Sequence, residues 1–141
     1  FPQVTVSEQL VDACAMDLIR QPERYSVIVT TNLFGDILSD EASMLVGGLG
    51  LAASGNYGPE VAVFEPVHGS APDIAGQGIA IPLATLRSAV FLLRHLRREA
   101  LASRLETAID DTLRANDTTP DLGGTLTTSE VVTRLCARVA S

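Results

Sequence analysis

Asp36 and Asp40 stand four residues apart, so on a helix both carboxylates project from the same face, one turn from each other. Two like charges so placed destabilise the helix unless a cation lies between them. Oxygen-only ligands of this kind suit Mg²⁺ or Mn²⁺, with water and a substrate in the remaining positions. The competing reading is a solvated acidic face, the commonest fate of aspartate. Context favours the cation: the pair follows the apolar run Val27-Ile28-Val29, and α/β sheets place their ligands just beyond the ends of such strands. Asp12 lies between an expected strand and an expected helix in another segment. It can complete the site or serve as a helix N-cap, and the residues alone leave both open.

A second constellation runs from Glu65 to Gly76, EPVHGSAPDIAG. Its small residues and permissive glycines form a backbone cradle in which N–H groups can approach a pyrophosphate, and Asp73 can accept hydrogen bonds from ribose hydroxyls. The stretch lacks GxGxxG, so it is not the usual dinucleotide-binding fingerprint.

The elements that must position these residues follow from hydropathy. Val4 to Val6 favours a short strand, and a helix runs from about residue 13 until Pro22 ends it. Tyr25 to Thr31 reads as a strand covered on both faces, because its apolar run is continuous rather than alternating. Leu33 to Val46 forms the next helix, with Ile37, Leu38, Ala42, Leu45 and Val46 as its apolar stripe and Gly47, Gly48 and Gly50 ending it. Leu51 to Glu60 is expected as a loop, Val61 to Phe64 as a second buried strand, and Glu65 to Ile81 as a long irregular segment. Pro82 opens a helix to about Arg98, with Leu83, Leu86, Val90 and Leu93 inward. Another helix covers about Leu101 to Arg114. Asn116 to Gly124 is a turn-rich connector, and Thr127 or Thr128 caps a last helix with Val131, Val132, Leu135 and Val139 inward.

Composition narrows the function. The chain has 141 residues, 46% of them hydrophobic, enough for one compact domain with a core. Its net charge of −7 argues against nucleic acid or an anionic membrane as partner. Arg87, Arg94 and Arg97 interrupt the best candidate for a membrane helix, so no span is expected. The N-terminal residues resemble no signal peptide and open mid-fold on a β-branched run, as a fragment would. Cys14 and Cys136 show no metal-binding spacing and no disulfide framework, which fits idle or buried thiols in a reducing cytoplasm.

The strings VTTNLFGDILSDEA at 29–42 and FEPVHGSAPDIAG at 64–76 closely resemble the β-decarboxylating dehydrogenases, the isocitrate/isopropylmalate dehydrogenase family. VDACAM at 11–16 and TPDLGG at 119–124 also fit, so the likeness runs nearly end to end. The resemblance implies an α/β fold, the C-terminal part of an isopropylmalate dehydrogenase-like fold with strands covered by helices. It implies that residues 1–141 are the C-terminal portion of such a domain, since the family's chains are more than twice as long.

It also assigns roles. Asp12, Asp36 and Asp40 match the family's Mg²⁺ or Mn²⁺ ligands, and the aspartate matching Asp12 reaches into a neighbouring subunit's site, which implies a homodimer with shared active sites. The helices near 13–21 and 33–47 resemble the family's dimer bundle. Glu65, His68, Gly69, Ser70, Ala71, Asp73 and Ile74 match the loop that holds the adenosine end of the dinucleotide. A carboxylate at Asp73 bonds the ribose hydroxyls of NAD and repels the 2′-phosphate of NADP, so NAD is the expected cofactor. The family usually reads GIANP after this loop, whereas this chain has Ile81 in place of the asparagine. Ile81 can pack on the adenine but cannot hydrogen-bond it, a loss of roughly 0.5 to 1.5 kcal/mol.

The implied reaction is oxidation of a 2-hydroxy acid by hydride transfer to NAD, followed by loss of the carboxylate β to the new ketone, with the cation as Lewis acid. The family's base, proton donor and carboxylate-clamping arginines have no counterpart here, so no catalytic residue is expected within this chain and the chain alone should be inactive. GGLGLAASGNYG and TPDLGG look closer to the isocitrate and homoisocitrate enzymes than to bacterial 3-isopropylmalate enzymes. Two other readings are a non-catalytic regulatory homologue and an inactive truncated remnant.

Overall fold

The computed structural model describes residues 1–140, which divide into two compact units, Phe1–Val46 and the residues from Gly47 onward. In the first unit, α1 spans Val11–Arg20 and α2 spans Asn32–Leu45, with a 3₁₀ turn at Pro22–Arg24. Cys14 and Leu18 on α1 meet Leu38 on α2, and Val11, Ala15, Tyr25 and Ala42 pack around them. The Tyr25 hydroxyl donates to Gln9 Oε1 at 2.8 Å, and partial burial raises the phenol above its ordinary value.

Two expected strands are absent from this unit. Residues 4–6 and 25–31 form no strand, and Val27 and Val29 are 80% and 92% exposed rather than covered on both faces. A strand exists only where a neighbour completes its hydrogen-bond ladder, and no described segment pairs with either. The stripe on α2 is also only partly covered. Leu38 is buried, while Ile37, Leu45 and Val46 are exposed, because α1 covers only one side of the helix.

The second unit opens with a 3₁₀ turn at Leu49–Leu51 and a hairpin of β1, Ala53–Tyr57, with β2, Ala62–Pro66. The strands are antiparallel, in register from Ala53 opposite Pro66 to Tyr57 opposite Ala62. The strand β1 lies in the segment expected as a loop. Its residues Ala-Ser-Gly-Asn carry little β-propensity, so pairing with β2 decides its conformation. Three helices follow: α3 (Leu83–His95), α4 (Glu99–Arg114) and α5 (Thr128–Ala140). Arg97 and Asn116, both at positive φ, follow the ends of α3 and α4.

The hairpin packs on α3 through three rings. Tyr57, Phe64 and His95 have mutual centroid separations of 5.3 to 5.8 Å, with Tyr57 edge-on to Phe64. Beneath them the core joins Leu51, Ile81, Leu83, Val90, Ala102, Ile109, Val131 and Leu135. The expected inward faces of α3 and α5 are found, with one exception. Val132 is 39% exposed, since it sits about 100° around the helix from the fully buried Val131.

Asp117 fastens the α4–α5 connector to α5. It is 13% exposed and accepts hydrogen bonds from the guanidinium groups of Arg134 and Arg138. Arg138 first, and then Arg134, holds its carboxyl below the ordinary value of 3.8. A depressed carboxyl binds its proton less tightly in the folded state than in the unfolded one. Its contribution to stability is therefore complete above the unfolded value and is lost as the pH falls through the folded one. Asp117→Asn is expected to flatten the acid limb of the urea midpoint against pH below about pH 4. An acid limb identical to the parent's would remove Asp117 from this role.

Candidate functional site

In the first unit, Asp36 and Asp40 occupy one face of α2, exposed and four residues apart. Ser39 and Ser43 donate to their backbone carbonyls at 3.1 and 2.7 Å, and among the described residues no side chain engages either carboxylate. Both carboxylates are therefore available as hard oxygen donors, the type a magnesium or manganese ion takes. Asp12 is the second residue of α1, and Leu10 is the N-cap, so the capping alternative for Asp12 is corrected. Its Oδ1 accepts the N–H of Ala13 at 2.8 Å, and its charge complements the positive end of the helix dipole. Among the described residues no group of three His, Cys, Asp or Glu side chains converges to hold a metal. One copy of the chain thus does not bring Asp12, Asp36 and Asp40 together as a metal-holding set.

In the second unit the stretch after β2 is irregular, as its Gly and Pro content requires. It bounds an open cleft of about 440 Å³, whose wall includes His68, Gly69, Ser70, Ala71 and Ile74. Local bonds shape the loop. His68 Nδ1 lies 2.9 Å from Gly69 O, Ile74 N–H donates to Ala71 O, and the Gln77 amide donates to Asp73 O at 2.7 Å. Ala71 adopts φ 42°, the left-handed region that costs a non-glycine residue roughly 1 to 2 kcal/mol. Such strain clusters where a loop is shaped for a ligand.

Three expected residues stand outside the cleft wall. Asp73 is exposed on the same loop, and Glu65 lies in β2 opposite Ser54. Ile81 is 4% exposed and belongs to the core with Leu51 and Leu83. Its N–H donates to Asp121 Oδ2 at 2.9 Å, and the Thr119 hydroxyl bonds the other oxygen of that carboxylate.

Residues that sequence reasoning missed as site members complete the wall: Ala75, Gly76, Gly78 and Ala80 on the loop, and Thr128 and Ser129 at the start of α5. The helix start itself is legible. Thr127 and Glu130 form a reciprocal capping box, with Thr127 N–H on Glu130 Oε2 at 2.7 Å and Glu130 N–H on Thr127 Oγ1 at 3.3 Å. The two bonds from Thr127 hold the Glu130 carboxyl below its ordinary value. What the pattern T-T-S-E does not reveal is that this helix start faces a loop some 50 residues earlier.

A small two-stranded sheet packed on helices in one unit and paired aspartates on a helix in the other mark an α/β protein. The isocitrate/isopropylmalate dehydrogenase family model matches residues 1–135, and the chain belongs to that family of decarboxylating dehydrogenases. It is 60% identical over 128 residues to the isocitrate/homoisocitrate dehydrogenase of Thermus thermophilus, a match covering 91% of this chain and 38% of that protein. It is 52% identical over 135 residues to the 3-isopropylmalate dehydrogenase of Methanothermobacter thermautotrophicus, covering 96% and 41%. Its fold is similar to that of the isocitrate dehydrogenase from Methylococcus capsulatus, with a TM-score of 0.95, 43% identity, and coverage of 100% of this chain and 42% of that one. The chain spans about two-fifths of the length of these relatives. No described helix is long and apolar enough to cross a membrane.

Proposed function

We propose that this chain contributes the adenosine-binding loop and metal-binding carboxylates of an NAD-dependent β-decarboxylating dehydrogenase. Its substrate is a 2-hydroxy acid of the isocitrate, homoisocitrate or 3-isopropylmalate type. The observation that carries the reading is the open cleft bounded by residues 68–78, whose small side chains leave backbone groups free to approach a nucleotide. Asp73, exposed and with no partner for its carboxylate among the described residues, accepts hydrogen bonds from the ribose hydroxyls and repels a 2′-phosphate. Asp36 and Asp40 hold Mg²⁺ or Mn²⁺, and Asp12 serves the site of a second copy in a homodimer. When bound, the cation supplies Lewis acidity for the hydroxyl and for the charge that develops on decarboxylation. No described residue of this chain is assigned as base or proton donor, so the 141-residue chain alone does not turn over.

Asp73 provides the test. Calorimetry of ADP-ribose against its 2′-phosphorylated counterpart is expected to show about tenfold weaker binding of the latter, as close like charges at a surface require. Asp73→Asn should narrow the gap. Equal affinity of the parent for the two ligands would sink the NAD assignment.

A further inference from the structure

The far end of the cleft loop is fastened to α5 by one residue. Gly78, at φ +66°, accepts the Thr128 N–H on its carbonyl at 2.8 Å, and the Thr128 hydroxyl donates to Ala80 O at 2.6 Å. The segment 78–80 has no helix or strand to hold it otherwise. The N–H of Thr128 belongs to the first turn of α5, where backbone donors have no partner inside the helix, so its use on Gly78 costs the helix nothing. Thr128 also lines the cleft beside Ser70 and Ala71, and α5 is anchored by Val131 and Leu135 in the core. A rigid helix thus grips two carbonyls of a glycine-rich loop next to the space the loop encloses.

We propose that Thr128 is a positioning residue for nucleotide binding. Its two bonds hold the loop in its binding shape and so set affinity for the adenosine half of a dinucleotide. This rests on reading the cleft as the adenosine site. A loop already held in shape loses less conformational freedom on binding than one that must first be ordered. The backbone bond survives any substitution except proline, and the hydroxyl bond is the part a side-chain change removes.

ADP-ribose titrated calorimetrically into the full 141-residue chain tests the proposal. Thr128→Val, which keeps the shape and deletes the hydroxyl, is expected to bind about three- to tenfold more weakly, the size of one lost hydrogen bond. Thr128→Ser, which keeps the hydroxyl, should restore binding to within about twofold of the parent. Thr133→Val deletes a hydroxyl bond to Ser129 O on the same helix, 2.9 Å in the parent, without touching the loop, and should bind as the parent does. Parental affinity in Thr128→Val overturns the proposal. Equal losses in Thr128→Val and Thr133→Val also overturn it, because general weakening of α5 would then be the cause. If the valine variant does not melt cooperatively, Thr128→Ala takes its place. A parent chain that binds no ADP-ribose overturns the adenosine reading itself, and the positioning role with it.

Discussion

With Asp36 as a metal ligand, as proposed, Asp36→Asn introduced into a complete dehydrogenase carrying this chain is expected to lower kcat by at least about a hundredfold, because even neighbours of metal ligands cost 10- to 100-fold when removed. The manganese concentration needed for half-maximal rate rises with it. The same change relieves a like-charge pair at i, i+4, a repulsion worth roughly 0.2 to 0.5 kcal/mol, so the metal-free protein melts no earlier than its parent. Opposite signs in the two measurements separate loss of a ligand from loss of the fold. Asp40→Asn should behave in the same way, and the double substitution should cost less than the product of the two, since both act on one ion. Undiminished turnover in Asp36→Asn, at a manganese requirement equal to the parent's, would return the pair to a solvated helix face.

Gly124→Ala destabilises the second unit by about 3 kcal/mol or more, at the upper end of overpacking effects. A Cβ at this position would lie 1.9 Å from Thr118 O and 2.4 Å from both Thr118 C and Thr118 Oγ1. These are mainly backbone atoms, and they cannot swing aside. Thr118 O accepts the Leu126 N–H and Thr119 O accepts the Gly124 N–H, each at 3.0 Å, while both threonines are buried. A methyl group therefore opens the turn and breaks bonds that close it. Gly69→Ala is the control, since a Cβ there meets nothing within 4 Å. Urea unfolding should show a large drop in midpoint for the first and little change for the second. Matching midpoints would mean that the turn yields more easily than its bonding indicates.

The helices were legible because their signal is periodic and local. Leu83 and Val90 on α3, and Val131 and Leu135 on α5, fall one or two turns apart and are buried where their spacing places them. Pro22 and Pro82 bounded helices through a missing N–H and a fixed φ, which is also local chemistry. The loop after β2 was legible for the same reason, since glycine and proline exclude regular structure without help from elsewhere. Asp36 and Asp40 share a face by helix geometry alone.

Strands were not legible in this way. Val27-Ile28-Val29 has the composition of a buried strand and forms none, whereas Ala53-Ser54-Gly55-Asn56 lacks that composition and forms one. The difference lies in whether a partner is present, which no local pattern encodes. Ile81 shows the same limit on a side chain. The substituted position in a recognisable loop carries no local sign of burial, yet the core packs it with Leu51 and Leu83.

By itself the sequence determined the family, the helices, the paired aspartates and the composition of the cleft loop, all of which depend on neighbours within a few residues. Only the tertiary structure decided that Thr128 grips Gly78 and Ala80, that Asp121 holds Ile81, and that Asp12, Asp36 and Asp40 form no metal-holding set among the described residues of one copy. The reason is physical. Backbone dihedrals and helical period act over a single turn, whereas a hydrogen bond across about 50 residues forms only after the core has brought its ends together.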